Sequence, residues 1–213
     1  MITIECKALL FDLDGTLVDS GLCIENLWAE WAKDNHINTD YVLSIIHGRT
    51  IEETLKLISP YFYNKECVDE IKKRALRALG CVKSIPGAIE FMSKLPADRI
   101  AIVTSGARDV SMQSITSAGI PVPDVMITAE DVTHGKPDPE PYLQAALKLG
   151  VLPGDCLVFE DADSGIRSAI GAGMRVVVVR TGHQGLFNEA DMQLTDYSNI
   201  QVVSREGSLF LSW

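Results

Sequence analysis

Short apolar runs rich in β-branched residues alternate with helical patterns along most of the chain. The runs cover residues 8–11, 100–103, 125–127, 156–159 and 176–179. Each is short and continuously apolar, as is typical of a parallel strand buried on both faces. The helical patterns cover residues 86–95, 109–118, 139–149 and 164–172. This alternation predicts an α/β fold with a mostly parallel sheet.

Proline and glycine mark the expected ends of these helices. Pro86 stands at a suitable first helical position. Gly119, Gly150 and Gly173 follow the last three helical patterns, where glycine typically ends a helix. The tail, residues 200–203 and 208–213, is predicted to add strands at a sheet edge.

One connection is far longer than an α/β unit needs. Residues 17–99 separate the first two apolar runs, whereas such connections usually have about 2–6 residues around one helix. Helical patterns fill the segment at residues 22–34, 41–46, 51–58 and 66–79. We therefore predict a small all-helical domain at residues 20–82, inserted after the first strand, and a core domain of residues 1–19 and 83–213. Residues 17–20 and 82–85 would connect the two.

Composition and charge limit the class of protein. Hydrophobic residues make up 46% and charged residues 23%, as in a soluble protein with a sizeable core. No apolar run approaches the roughly 20 residues that span a bilayer, and residues 1–7 do not resemble a signal peptide. We expect a cytoplasmic protein that does not bind membranes. The net charge of −10 and the lack of a Lys/Arg cluster argue against nucleic acid as a partner.

The cysteine pattern indicates neither a zinc site nor a set of disulfides. The five cysteines are odd in number and show no CxxC spacing. We therefore interpret them as reduced residues that mostly contribute to packing. His36, His134 and His183 show no partner pattern and are interpreted as loop residues.

Polar side chains follow the predicted strands, where ligands of a parallel sheet bind. Asp12 and Asp14 follow the first strand, and Glu160 and Asp161 follow the fourth. Thr104, Ser105 and Gly106 follow the second strand, and Lys136 lies between the third strand and the next helix. The predicted fold brings these distant segments to one edge.

Such a cluster of acids requires a cation. Two unit charges 4 Å apart interact by about 4 kcal/mol at an effective dielectric constant of 20, so crowded carboxylates repel strongly. Carboxylate oxygens without histidine favour Mg²⁺ over Zn²⁺. We predict that Asp12, Asp14, Asp161 and Glu160 form the metal site, with Glu160 orienting the ion or its waters.

The same residues predict a covalent phosphoryl-transfer reaction. Asp12 would be the nucleophile and form an aspartyl-phosphate. Asp14 would protonate the leaving oxygen and later deprotonate water, which requires a raised pKa. Thr104, Ser105 with Gly106, and Lys136 would bind the phosphoryl oxygens as charge develops.

His47-Gly48-Arg49 in the insertion leaves two interpretations open. The segment could be a surface turn. Alternatively, His47 and Arg49 could bind the phosphate or a hydroxyl group of a substrate at the core.

The motifs resemble those of the haloacid-dehalogenase superfamily over nearly the whole chain. Phe11-Asp12-Leu13-Asp14-Gly15-Thr16-Leu17-Val18-Asp19-Ser20 is similar to its first motif and Thr104-Ser105-Gly106 to its second. Gly135-Lys136-Pro137-Asp138-Pro139 resembles the third, and Glu160-Asp161-Ala162 with Ser164-Gly165 the fourth. The resemblance implies a Rossmann-like core, a helical cap, the roles given above, and a backbone carbonyl of Asp14 as a ligand of Mg²⁺.

Within the superfamily, the segments around Arg49, Arg108 and Tyr142 resemble the sugar and polyol phosphatases. These act on hexose, hexitol, 2-deoxyglucose and glycerol phosphates. The resemblance implies a small phosphorylated metabolite as substrate and places His47 and Arg49 on the substrate-facing surface of the cap. A sugar phosphomutase of the β-phosphoglucomutase type is the alternative. We expect a monomer, with a homodimer as the alternative.

Overall fold

A computed structural model of the chain describes residues 3–180, 192–205 and 207–213. Within these residues the strands are β1 (Thr3–Cys6), β2 (Ala8–Phe11), β3 (Val18–Asp19), β4 (Lys83–Ser84), β5 (Ile100–Val103), β6 (Val125–Ile127), β7 (Cys156–Glu160), β8 (Arg175–Val179), β9 (Gln193–Leu194), β10 (Gln201–Arg205) and β11 (Ser208–Ser212). The α-helices are α1 (Gly21–Asp34), α2 (Thr39–Ile45), α3 (Ile51–Ile58), α4 (Lys65–Ala78), α5 (Ala88–Ser93), α6 (Arg108–Ala118), α7 (Glu140–Leu149) and α8 (Asp163–Gly171). His183 lies outside the described residues.

The main sheet has the strand order β6-β5-β2-β7-β8-β9, and its paired strands run parallel. Every residue of β2, its third strand, is buried. Leu9 and Phe11 belong to one hydrophobic cluster, and Ala8 and Leu10 belong to a second. Because consecutive strand residues point to opposite faces, both faces of the sheet are covered. The predicted Rossmann-like α/β core is confirmed, and the continuous apolar runs are explained.

Strand register brings the predicted polar segments to one edge. Phe11 pairs with Ile102 of β5 and with Phe159 of β7. Asp12, Thr104 and Glu160 therefore come at the same end of three adjacent strands, β2, β5 and β7, as expected for parallel pairing.

The prediction for the C-terminal tail was right about strands and wrong about their place. β10 and β11 form, but they pair with β1 in a separate antiparallel sheet of order β1-β11-β10. The edge of the main sheet beside β8 is occupied by β9 instead. Leu209 and Leu211 face the same hydrophobic cluster as Ile4 and thereby attach the second sheet to the core.

Most predicted helices form within two residues of their expected bounds, and α6 and α7 end at Gly119 and Gly150 in the left-handed conformation. The helix expected from Pro86 also lies within this margin but begins differently. Gly87 has a φ of 77° and separates Pro86 from α5, which begins at Ala88. Pro86 is therefore not the first residue of that helix.

Helices α1–α4 lie between β3 and β4 in the chain. We refer to residues 20–82, the span predicted as a separate domain, as the cap and to the rest of the described chain as the core. Trp31 is fully buried in the cap. Its ring contacts Trp28 and Phe62 edge to face, with centroid distances of 5.6 Å and 5.1 Å. A capping box between Thr50 and Glu53 begins α3.

The two chain segments that join cap and core run side by side. β3 and β4 pair antiparallel, with Val18 opposite Ser84 and Asp19 opposite Lys83. The pairing continues into the core, where the Ile85 N–H donates to the Leu17 carbonyl at 2.9 Å. The cap is therefore attached at the carboxyl edge of the main sheet, next to the end of β2.

The described residues contain no helix that is both long and apolar enough to cross a membrane. The five cysteines, all within the described ranges, have free thiols. Cys6 and Cys156 are buried in strands, where they act as packing residues.

Candidate active site

Lys136 connects the strand ends at the carboxyl edge of the sheet. Its ammonium donates to Asp12 Oδ1 at 2.7 Å, to Glu160 Oε1 at 2.6 Å and to the Val103 carbonyl at 2.9 Å. Only 1% of the residue is exposed. The structure thus brings together four segments that are distant in the sequence.

Three of the predicted acids form a compact cluster. One carboxylate oxygen each from Asp12, Glu160 and Asp161 lies within 4.8 Å of the others. Thr16 Oγ1 donates to Asp161 Oδ1 at 3.4 Å. An oxygen cluster of this size suits a small divalent cation.

Asp14 lies on the same loop but has its own partner. Ser20 Oγ donates to Asp14 Oδ1 at 2.7 Å. The loop turns tightly, since the N–H groups of Leu17 and Val18 both donate to the Leu13 carbonyl. Gly15 is required within this turn because a Cβ there would lie 2.0 Å from Asp161 Oδ2.

Burial raises the pKa of the acids in this cluster. For Asp12, burial followed by the charge of Glu160 raises the pKa to about 7, although Lys136 opposes the shift. Burial, and then the charges of Asp12 and Glu160, raise the pKa of Asp161 well above its usual value. A divalent cation would offset these charges, so the donor set fits Mg²⁺. Burial also raises the pKa of Asp14, against the hydrogen bond from Ser20.

For Lys136, unlike the acids, the charges of its neighbours together affect the pKa more than burial does. Burial alone would lower its pKa, but the charges of Asp12 and Glu160 outweigh burial and raise it. Lys136 is therefore a permanent cation that offsets part of the negative charge of the cluster.

The carboxylate of Glu160 is fully engaged by protein donors. Besides Lys136, Tyr142 donates its hydroxyl to Oε1 at 2.9 Å. The N–H groups of Asp161 and Ala162 donate to Oε2 at 3.0 Å and 3.1 Å. Four donors leave little capacity for a metal bond, so this geometry favours an orienting role for Glu160 over direct coordination.

Tyr142 and Ser20 are the contacts that sequence reasoning missed. Tyr142 is fully buried on α7, and its ring centroid lies 5.2 Å from Lys136 Nζ. In the sequence it belongs to the apolar pattern of a helix, where tyrosine indicates packing. Ser20 precedes α1 and is typical of a helix cap, yet its hydroxyl makes no cap bond and binds Asp14.

The predicted phosphate-binding segment adjoins the acids and contacts the cap. Thr104 is buried, and its Oγ1 accepts a hydrogen bond from the Gly106 N–H at 3.0 Å. Ser105 Oγ donates to the carbonyl of Gly48 in the cap at 2.9 Å. A cavity of about 400 Å³ lies between cap and core. Its lining includes these four residues together with Asp12, Asp14 and Asp161.

His47 and Arg49 also line this cavity, which favours the interpretation that they face the substrate. His47 Nε2 lies 3.3 Å from Glu25 Oε1. Arg49 Nη1 donates to the Ile45 carbonyl at 2.7 Å. Both side chains are thus held by other cap residues beside the cavity.

At Gly48 the backbone of the cap lies very close to the core. It has a φ of +71°, and a Cβ there would lie 2.0 Å from Ser164 Oγ and 3.1 Å from Ala162 Cβ. Ser164 Oγ in turn donates to the His47 carbonyl at 3.5 Å. The approach of the cap therefore depends on the absence of a side chain at position 48.

Comparison with known proteins agrees with this geometry. Residues 9–179 match the haloacid dehalogenase-like hydrolase family. The chain belongs to this family. The six-stranded parallel sheet and the cluster at its carboxyl edge are thus those of a hydrolase.

Individual relatives confirm the resemblance to sugar and polyol phosphatases. The hydrolase is 37% identical to hexitol phosphatase A of Escherichia coli (strain K12), over 94% of this chain and 96% of that protein. It is 33% identical to glycerol-1-phosphate phosphohydrolase 2 of Saccharomyces cerevisiae (strain ATCC 204508 / S288c), over 84% and 77%. A solved HAD hydrolase (family IA, variant 3) of Entamoeba histolytica HM-1:IMSS is similar with a TM-score of 0.78 and 26% identity, over 91% and 95%.

Replacing Tyr142 with Phe removes the hydroxyl bound to Glu160 and keeps the ring. We expect the kcat for p-nitrophenyl phosphate to fall about 10-fold with KM changed less than about twofold, because the position of Lys136 is loosened while substrate contacts remain. Steady-state kinetics measures both. Tyr197→Phe is the control, since the equally buried Tyr197 hydroxyl donates to a backbone carbonyl, that of Thr16. An equal loss of kcat in both variants would contradict a role specific to Tyr142.

Replacing Gly48 with Ala places a methyl group against Ser164. We expect kcat/KM for sugar phosphates to fall about 10-fold or more, because the added methyl group would prevent the close contact between cap and core at Ser164. Gly150→Ala is the control, because Gly150 has a φ of +68° and nothing within 4 Å of the added Cβ. Both variants carry the backbone strain of about 1–2 kcal/mol. Similar kinetics in the two variants would show that strain, and not the contact with Ser164, causes the loss.

Proposed function

We propose that the hydrolase is a Mg²⁺-dependent phosphatase of small phosphorylated sugars or polyols and acts through an aspartyl-phosphate on Asp12. The observation that carries the proposal is the buried pair of Asp12 and Lys136 beside Asp161, at the floor of the cavity that the cap covers. The named activities of two relatives, a hexitol phosphatase and a glycerol-1-phosphate phosphohydrolase, support this substrate class.

Asp12 is placed to act as the nucleophile. It lines the cavity, and Lys136 binds its Oδ1, which restricts the rotation of the carboxylate. Attack forms a bond from a carboxylate oxygen to phosphorus and breaks the bond from phosphorus to the leaving oxygen. Thr104 and the N–H groups of the loop beside it would bind the phosphoryl oxygens. Water then cleaves the acyl phosphate and releases inorganic phosphate.

Asp14 would serve as the acid and then as the base. Burial raises the pKa of this carboxyl, which favours the protonated form that donates to the leaving oxygen. In the second step the resulting carboxylate takes a proton from the attacking water. The hydrogen bond from Ser20, at the junction of β3 and α1, orients Asp14 from the base of the cap.

Asp12, Asp161 and the backbone carbonyl of Asp14 would hold the Mg²⁺ ion. When bound, the ion neutralises negative charge on the carboxylates and on the transferring phosphoryl group. Glu160 would orient the site through Lys136 and the N–H groups of Asp161 and Ala162.

Hydrolysis is favoured over a mutase reaction by the named activities of the similar proteins. The two reactions differ in the acceptor of the phosphoryl group, which is water in one case and a sugar phosphate in the other. Release of inorganic phosphate from a sugar phosphate, with no sugar bisphosphate added, supports the phosphatase. Strict dependence on the bisphosphate would support the mutase.

Asp12→Asn removes the nucleophile with almost no change in shape. We expect phosphate release to fall at least about 1,000-fold, because the amide does not form the acyl phosphate. A colorimetric phosphate assay measures the rate, and circular dichroism checks the fold. Asp163→Asn, which alters an exposed carboxylate at the start of α8, should keep near wild-type activity. Substantial activity of Asp12→Asn would refute the assignment.

Removing divalent cations should abolish activity. We expect EDTA to stop phosphate release and excess Mg²⁺ to restore it, because the crowded carboxylates need a cation before they accept a phosphate dianion. Calorimetric titration with Mg²⁺ alone should show one site, and Asp161→Asn should weaken it. Turnover that is unaffected by EDTA would refute the metal assignment.

A further inference from the structure

Three buried polar atoms of side chains, in the part of the chain that the structure describes, have no hydrogen-bond partner. They are Nε1 of Trp31 in the cap and the hydroxyl oxygens of Ser111 and Ser114 in the core helix α6. Ser111 and Ser114 are each only 1% exposed. A hydroxyl that is buried without a partner destabilises the folded protein, so such groups are rare.

Ser111 differs from the other two residues in its position beside the predicted phosphate-binding segment. The helix α6 follows this segment in the chain. A Cβ built on Gly106 would lie 2.6 Å from Ser111 Oγ, 3.2 Å from Thr104 Oγ1 and 3.9 Å from Asp14 Oδ2. The two hydroxyls therefore lie close to the same point, and no side chain of residue 106 separates them.

The hydroxyl of Thr104 can accept one more hydrogen bond. A threonine hydroxyl donates one hydrogen bond and accepts two. Thr104 Oγ1 accepts one from the Gly106 N–H at 3.0 Å, and its own hydrogen would be directed at a phosphoryl oxygen of the substrate. A second acceptor position then remains, and the hydroxyl of Ser111 has a hydrogen to donate.

We propose that Ser111 is a positioning residue of the phosphate-binding segment, whose hydroxyl donates to Thr104 Oγ1 when a phosphoryl group is bound. Rotation of one or both side chains about χ1 brings the oxygens together. The bond from Ser111 polarises the Thr104 hydroxyl and so strengthens its bond to the phosphoryl oxygen. Ser111 does not itself line the cavity, so it acts through Thr104. This role rests on the proposed function, in which Thr104 binds phosphate.

The test removes each unpartnered hydroxyl of α6 in turn. We expect Ser111→Ala to raise the inhibition constant of inorganic phosphate, and to lower kcat/KM for p-nitrophenyl phosphate, by about 3- to 10-fold each, because the support of Thr104 is lost. Ser114→Ala is the matched control, since Ser114 is equally buried and unpartnered but lies further along α6 from the segment. It should keep both wild-type values. Equal values in the two variants would overturn the proposal.

Thermal unfolding separates this role from a purely structural one. Neither hydroxyl has a partner among the described residues, so removing either one should leave the Tm of the protein without phosphate unchanged or raise it. A weaker affinity for phosphate without a lower Tm therefore identifies positioning. A lower Tm confined to Ser111→Ala would show that its hydroxyl is bonded without phosphate, which would overturn the proposal.

A double-mutant cycle with Thr104→Val shows whether Ser111 acts through Thr104. Valine has a similar size and lacks the hydroxyl. In the Thr104→Val background, Ser111→Ala should change the inhibition constant of phosphate by less than about twofold, because the group that links Ser111 to the phosphate is gone. A loss as large as in the wild-type background would rule out the contact between the two hydroxyls.

The activity of the wild type distinguishes failure of this role from failure of the proposed function. If the wild type hydrolyses p-nitrophenyl phosphate with Mg²⁺ and Ser111→Ala behaves like Ser114→Ala, the role of Ser111 fails and the phosphatase stands. If the wild type hydrolyses neither p-nitrophenyl phosphate nor a sugar phosphate, the proposed function fails and the role of Ser111 fails with it.

Discussion

The buried ammonium of Lys136 makes the interactions on which the candidate active site depends. It donates to Asp12, to Glu160 and to the end of β5, so it joins the carboxyl ends of three strands. Removing one partner of such a buried pair costs about 3–5 kcal/mol, because the remaining charges are left without compensation. Lys136 therefore contributes to the stability of the sheet edge as well as to the proposed chemistry. The Tyr142 hydroxyl and the N–H groups of Asp161 and Ala162 also donate to the Glu160 carboxylate and hold it in place.

Backbone groups of the cap make two of the contacts that join it to the core, beside the ion pair of Lys72 with Glu130 at 3.7 Å. The carbonyls of His47 and Gly48 accept hydrogen bonds from Ser164 and Ser105. Side chains of the cap, among them His47 and Arg49, line the cavity beside these contacts. Ser20 adds a link in the other direction, since it belongs to the base of the cap and binds the proposed acid, Asp14.

The sequence predicted the features that follow from regular patterns. Apolar residues at helical spacing indicated α1 to α4. Polar residues at the ends of the predicted strands indicated Asp12, Lys136 and Asp161. Strands of two residues, such as β3 and β4, have no periodicity to detect, and β1 is half exposed. The partners of Ser20 and Tyr142 depend on distances in the folded chain. A serine before a helix and a tyrosine in an apolar helix each fit an ordinary structural role, so neither pattern indicates its contact with a carboxylate.

The antiparallel pairing of β3 and β4 bears on how such a protein can acquire new substrates. The chain leaves and re-enters the core through adjacent strands, which lie about 5 Å apart in any sheet. An exchange of the segment between them would need to preserve only that spacing. The strand ends that carry Asp12 and Glu160 would remain in register, because their pairing is made entirely within the core. Evolution can thus replace the cap as a separate module while the strand ends of the core are inherited unchanged.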